Sequence, residues 1–106
     1  MSAPKFAANV LGEVVERANP TITASFVEQT PTVKDWEAVS ITNASSTIVL
    51  HVSLGLADGT APTEIDFYVS PQGPPLILSG GRRLRIWAKM ASGTQACPIV
   101  RYTYRE

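Results

Sequence analysis

Cysteine is almost missing from this chain. Cys97 stands alone, so no intrachain disulfide can form, and a disulfide-stapled secreted scaffold or a cysteine-rich zinc site is excluded. Histidine is equally scarce, with His51 the single copy. Charge is low: 17% of residues are Asp, Glu, Lys or Arg, against about 25% in an ordinary soluble domain. The rest of the surface must be covered by Thr, Ser, Gln and Asn or by partner subunits. No apolar run approaches the roughly 18 residues of a membrane span. The opening "MSAPKFAANV" lacks the apolar segment of a signal peptide. These absences predict a soluble protein, made in a reducing cytoplasm and in contact with no membrane. At 106 residues it has the size of one domain with a modest core.

The net charge of zero conceals a division. Residues 1–75 carry Lys5, Arg17 and Lys34 against eight acids, a balance of −5. Residues 76–106 carry Arg82, Arg83, Arg85, Lys89, Arg101 and Arg105 against Glu106, a balance of +5. Such asymmetry marks either an acidic and a basic surface or strands from the two parts that neutralise each other in one sheet.

Period-2 patterns dominate. In Thr21–Glu28, Ile22, Ala24 and Phe26 share a face. In Thr47–Leu56, Ile48, Leu50, Val52 and Leu54 share one, with His51 opposite. Glu64–Ser70 gives Ile65, Phe67 and Val69; Arg83–Met90 gives Leu84, Ile86, Ala88 and Met90. Pro98–Glu106 puts Val100, Tyr102 and Tyr104 on one side. Asp35–Thr42 slips phase between Trp36/Ala38 and Val39/Ile41, the signature of a bulge. Polar, Gly- or Pro-bearing turns separate the runs. Pro74 and Pro75 restrict Leu76–Leu78 to a short or edge strand. Together these predict an all-β antiparallel sandwich, jelly-roll or Ig-like, of about seven or eight strands over residues 21–106. Residues 1–20 read as an N-terminal arm or first strand, Val10, Val14 and Val15 favouring β structure over a helix.

The chemical inventory is thin, and the sequence predicts a protein that is not an enzyme and takes no cofactor. One histidine among many serines makes no catalytic triad, and Cys97 lacks the base that would activate a thiol. It reads as a buried, inert thiol. Asp58, Glu64 and Asp66 could cradle calcium but lack the regular spacing of a calcium loop, so no metal site is assigned. "SGGRR" is not a phosphate loop. "NAS" at Asn43–Ser45 formally matches a glycosylation sequon and is better read as a turn.

The basic run that follows Gly80-Gly81 is the one conspicuous constellation. As a strand it directs Arg83, Arg85, Trp87 and Lys89 one way, over about 20 Å, and Leu84, Ile86, Ala88 and Met90 the other way into the core. Arginine beside an aromatic ring can hold phosphate and stack on bases. However, the domain has no excess positive charge and a pI of 6.6, unlike most nucleic-acid binders. Arg and Trp are also favoured at protein interfaces. Arg82, Arg83, Arg85, Trp87, Lys89 and Arg101 are therefore the candidate interface residues.

Read in order, "WEAVSITNASSTIVLHVSLGLADGT" and "PPLILSGGRRLRIWAKMASG" resemble small β-sandwich structural proteins of tailed bacteriophages. A strand ending in I-T-N leads through a polar turn into alternating aliphatics. Later, Leu78, Gly81, Leu84, Trp87 and Ala88 form an L-x-x-G-x-x-L-x-x-W-A stretch. The likeness covers roughly Trp36–Met90; Gly80-Gly81 replaces the usual proline-glycine turn, and the arginine run is an addition. The resemblance implies a virion component, a capsid decoration protein or a head, collar or tail accessory subunit. Its partners would be capsid or tail subunits and further copies of itself in a homo-oligomer. Two other classes compete with it. A carbohydrate- or host-surface-binding module would use Trp36, Trp87, Tyr68, Tyr102 or Tyr104 as an aromatic platform. A nucleic-acid binder would use the Arg82–Lys89 strand.

Overall fold

A computed structural model describes residues 11–33, 35–56, 59–80 and 84–104, with only the backbone described at Leu11, Gly12 and Tyr104. Expectations that rest on residues 1–10, Asp58, Gly81, Arg82, Arg83 and the Tyr104 side chain lie outside the described residues.

The chain is all-β. Among the described residues ten strands follow in order: β1 (Leu11–Ala18), β2 (Thr21–Ile22), β3 (Val27–Glu28), β4 (Ala38–Ile41) and β5 (Leu50–Leu54), then β6 (Phe67–Val69), β7 (Leu76–Ser79), β8 (Ile86–Met90), β9 (Gln95–Ala96) and β10 (Ile99–Tyr104). Seven have three or more residues; β2, β3 and β9 are two-residue pairings. No helix among the described residues is long and apolar enough to cross a membrane.

All pairings are antiparallel, and five of them nest: β1 with β10, β2 with β9, β3 with β8, β4 with β7, and β5 with β6. The chain is thus one long antiparallel ribbon doubled back at the β5–β6 turn. Two more pairings, β4 with β10 and β5 with β8, roll that ribbon up. The result is a first sheet ordered β1-β10-β4-β7 and a second ordered β3-β8-β5-β6. This is the strand order of a double-sheet jelly roll. Of the two sandwich topologies that the sequence left open, the nesting selects this one.

The core lies between the sheets. Val39, Ile41 and Ile99 of the first sheet meet Leu50, Val52, Val69, Ile86, Ala88 and Met90 of the second. The β8 alternation is as the sequence predicts, with Ile86, Ala88 and Met90 buried and Trp87 and Lys89 half-buried. β7 is an edge strand, where the preceding Pro74 and Pro75 do no harm to a ladder.

One turn is structural in a way its residue types only hinted at. The Asn43 side chain is buried. Its Nδ2 donates to the carbonyls of Ile48 and Val69, both at 2.8 Å, and its Oδ1 accepts the Ser45 N–H at 3.0 Å. The amide holds the β4–β5 connection against the end of β6.

Candidate functional site

β8 displays its predicted outward face on the second sheet, and the partners of that face belong to the same chain. Arg85 pairs with Glu28, Nε to Oε2 at 3.0 Å and Nη2 to Oε1 at 3.1 Å. The fork is bidentate, the geometry a guanidinium and a carboxylate favour. Both side chains remain partly exposed, 37% and 26%, so the pair contributes under about 1 kcal/mol.

Trp87 packs on Gly55, where a Cβ would stand 2.4 Å from its Nε1. The Gly55 N–H bonds the Arg85 carbonyl at 2.6 Å. The segment after β5 therefore lies over the Trp87 indole, and Arg85 is also held close to the Gly59 backbone. Lys89 sits over the Phe26 ring, 5.0 Å from its centroid. Of the predicted stripe, Arg85 and Trp87 are engaged internally.

Arg101 corrects an expectation. It was expected at an interface, but it is 2% exposed and faces the core. Cross-strand partners share a face, and Arg101 is paired with Val39, as Ile99 is with Ile41. Alternation on β10 thus runs opposite to its apolar pattern: Ile99 and Arg101 point in, Val100 and Tyr102 point out. Arg101 Nη1 bonds Glu16 Oε1 at 2.7 Å, its Nη2 donates to the Gln29 carbonyl at 2.9 Å, and its guanidinium lies 5.1 Å from the Trp36 ring centroid.

Irregularities on both strands beside β10 build this site. On β1, Val14 pairs with Tyr102 and Glu16 with Arg101. Two residues advance against one, so Val15 is an inserted residue that turns Glu16 inward. On the other side, the Glu37 N–H bonds the Tyr102 carbonyl, whereas the β4 register would place Thr103 opposite Glu37. This is the phase slip visible in the sequence, and it brings Trp36 to the core side. The Glu16 carboxylate also accepts the Thr32 N–H at 2.8 Å and the Thr32 hydroxyl. Burial would raise the Glu16 carboxyl; the Thr32 hydrogen bonds and Arg101 outweigh it and leave it below its usual value. Burial lowers the Arg101 guanidinium, with Glu16 opposing, but an arginine starts so high that it stays charged.

Both ion pairs, Arg85–Glu28 and Arg101–Glu16, join a base from residues 76–106 to an acid from residues 1–75. These two pairs match part of the charge division within the chain. A nucleic-acid surface loses these two arginines as free cations.

The outer face of the first sheet is different in kind. Two register rows cross its four strands, Arg17-Val100-Ser40-Ile77 and Val14-Tyr102-Ala38-Ser79. Of these eight side chains one is charged. Val14 and Ile77 are exposed, 39% and 38%, and Val100 and Tyr102 half-buried. The Tyr102 hydroxyl lies 3.5 Å from that of Ser40.

The remaining candidates are placed as follows. Cys97 is buried and free, and burial pushes its thiol up. His51 is half-buried, with its imidazole held down by burial and then by Lys89. The Asp66 carboxylate accepts the Leu54 N–H at 2.8 Å and the Glu64 carbonyl accepts the Ser53 hydroxyl. Among the described residues no three His, Cys, Asp or Glu gather as a metal site. Trp36 is buried and offers no sugar platform; Trp87 is half-buried against Gly55, and among the described residues Tyr68 is the exposed aromatic.

Nothing in the sequence marks Glu16 as a partner of Arg101, and Asn43 reads there only as part of a turn. Val14-Val15-Glu16 breaks alternation by placing two β-branched residues together, and that was the available signal for the bulge. No protein-family model, curated protein or solved structure matches the chain.

Proposed function

We propose that this protein is a non-enzymatic structural component of a tailed-phage virion, a capsid decoration or head, collar or tail accessory subunit that binds neighbouring subunits and copies of itself. The observation that carries the proposal is the outer face of the first sheet. Three of its four strands present Val14, Val100, Tyr102 and Ile77, with Arg17 as the one charge in these register rows. A partly exposed, weakly charged sheet face suits a subunit contact, since interface cores are depleted in charge and enriched in aromatic side chains. The jelly roll is used by capsid and by lectin domains, so it is compatible with this role without deciding it. The resemblance of Trp36–Met90 to phage sandwich proteins supplies the virion setting.

Sedimentation and particle composition test the proposal together. The protein should sediment as an oligomer at micromolar concentration and be retained on purified particles. Ile77→Glu with Val14→Glu should abolish both while the far-ultraviolet circular dichroism is kept. A monomer that purified particles do not contain would overturn it.

A further inference from the structure

The first sheet ends in β1 and β7, the second in β3 and β6. A bare sheet edge invites pairing with another chain, and proteins blunt it with charge, bulges, proline or shortness. β1 carries Glu13, Glu16 and Arg17 and two register shifts. β3 is two residues long and includes Glu28, and β6 is three residues long. β7 is guarded by neither charge nor bulge. Leu76–Ser79 holds no charged residue, and its register with β4 is unbroken from Leu76 to Ser79. Pro74 and Pro75 guard only the approach to it.

The direction of the backbone groups on β7 follows from one bond beyond its end. The Gly80 N–H bonds the Glu37 carbonyl at 3.0 Å. In an antiparallel ladder such a bond flanks a non-hydrogen-bonded pair, here Ser79 with Ala38. Alternation makes Leu78 with Val39 and Leu76 with Ile41 the hydrogen-bonded pairs. Leu76 and Leu78 therefore turn their N–H and carbonyl groups toward β4. Ile77 and Ser79 turn theirs away from it, to the side where no strand lies among the described residues. The Ile77 side chain is exposed, whereas Leu78 packs against the core.

We propose that β7 pairs antiparallel with β7 of a second copy of this chain, about a two-fold axis at Leu78, and joins the two first sheets into one. The edge is self-complementary in this register. Ile77 stands opposite the partner's Ser79 and Ser79 opposite the partner's Ile77, so each outward N–H meets an outward carbonyl. Leu78 meets the partner's Leu78 on the core side. The alternative that sets Ile77 against its own mate would place Ser79 opposite the partner's Pro75, which has no N–H to donate. A like strand also brings no like charge, because β7 has none. Pairing consumes the same edge on both copies, so the contact is isologous and closes at a dimer. It extends the weakly charged outer face: the row Arg17-Val100-Ser40-Ile77 runs on through the partner's Ser79. The pairing thus deepens the subunit reading by naming the partner of this edge, and it stands without the virion setting.

Amide hydrogen exchange of the full chain, read at Ile77 and Ser79 across a dilution series, tests the pairing. Both amides should be protected where sedimentation shows a dimer and exchange freely where it shows a monomer. Ser79→Pro removes an N–H that β4 does not use, and proline is tolerated at such an edge position. Its circular dichroism should be kept while the dimer weakens about tenfold or more. Ser79→Ala keeps the N–H and should leave the dimer intact. Free exchange of both amides at every concentration, or Ser79→Pro dimerising as tightly as the unmutated chain, would overturn the pairing. Protection that survives full dilution would assign the edge to a segment of the same chain and overturn the second copy. Val14→Glu separates this proposal from the subunit reading. Val14 lies on β1, at the far edge of the same sheet, so the variant should lose its retention on particles while Ile77 and Ser79 stay protected. A dimer with protected amides that purified particles do not contain would reject the virion role and keep the pairing.

Discussion

Glu16 on β1 and Arg101 on β10 meet across the first sheet at 2.7 Å, with side chains 11% and 3% exposed. Their contact ties the edge strand β1 to the core and, through Thr32 and the Gln29 carbonyl, to the segment after β3. Breaking a buried pair by removing one partner costs about 3–5 kcal/mol, whereas replacing both by apolar residues is often close to neutral. Arg101→Met and Glu16→Leu should therefore each lower the urea midpoint strongly, and the double variant should be more stable than Arg101→Glu or either single. Simple additivity of the two single losses would show that the pair is not coupled.

Acid should destabilise the protein in two steps. The folded state holds the His51 imidazole below its usual 6.5, so below that value the unfolded chain binds the proton more readily and stability falls. The Glu16 carboxyl is held below its usual 4.5. Its contribution is complete above 4.5 and is lost as pH falls through the lower folded value. Urea midpoints taken from neutral pH down to about pH 3 should decline along both limbs. His51→Gln should flatten the upper limb alone and Glu16→Gln the lower.

Gly55 and Gly93 should respond differently to alanine. At Gly55 the new methyl would meet Trp87 Nε1 at 2.4 Å and Cδ1 at 2.9 Å. Overpacking of that kind costs about 1–3 kcal/mol and should change the Trp87 fluorescence. At Gly93 nothing lies within 4 Å, and the φ of +67° is the only obstacle, worth about 1–2 kcal/mol. An unchanged emission spectrum in Gly55→Ala would contradict the packing of the indole on that backbone.

Asn43→Ala should be among the most damaging polar substitutions. It removes the donor to two carbonyls and the acceptor of the Ser45 N–H. Buried groups left unpaired cost about 1–3 kcal/mol. Hydrogen exchange should rise first at Ser45 and Ile48, and a thermal midpoint equal to that of the native chain would reject the staple.

Most of the sandwich is legible in the chain. The alternation in Leu50–Leu54 and Ile86–Met90 assigned strands and their inward faces, because burial on one side of a pleat has period two. The proline pair limited residues 76–78 to a short or edge strand, and the structure places β7 at an edge. Outward placement of Arg85, Trp87 and Lys89 followed from the same alternation. Three matters were decided by the tertiary structure alone. The nested pairing that makes a jelly roll depends on contacts between residues far apart in sequence, such as Leu11 with Tyr104, and local patterns do not encode partners. The inward turn of Arg101, against its apolar neighbours Val100 and Tyr102, depends on bulges in the two flanking strands that bring Glu16 and Trp36 to it. And the acids that answer the basic half, Glu28 for Arg85 and Glu16 for Arg101, were countable in the sequence, but only the folded chain sets them beside their bases, because strand pairing rather than proximity in sequence selects which charges meet.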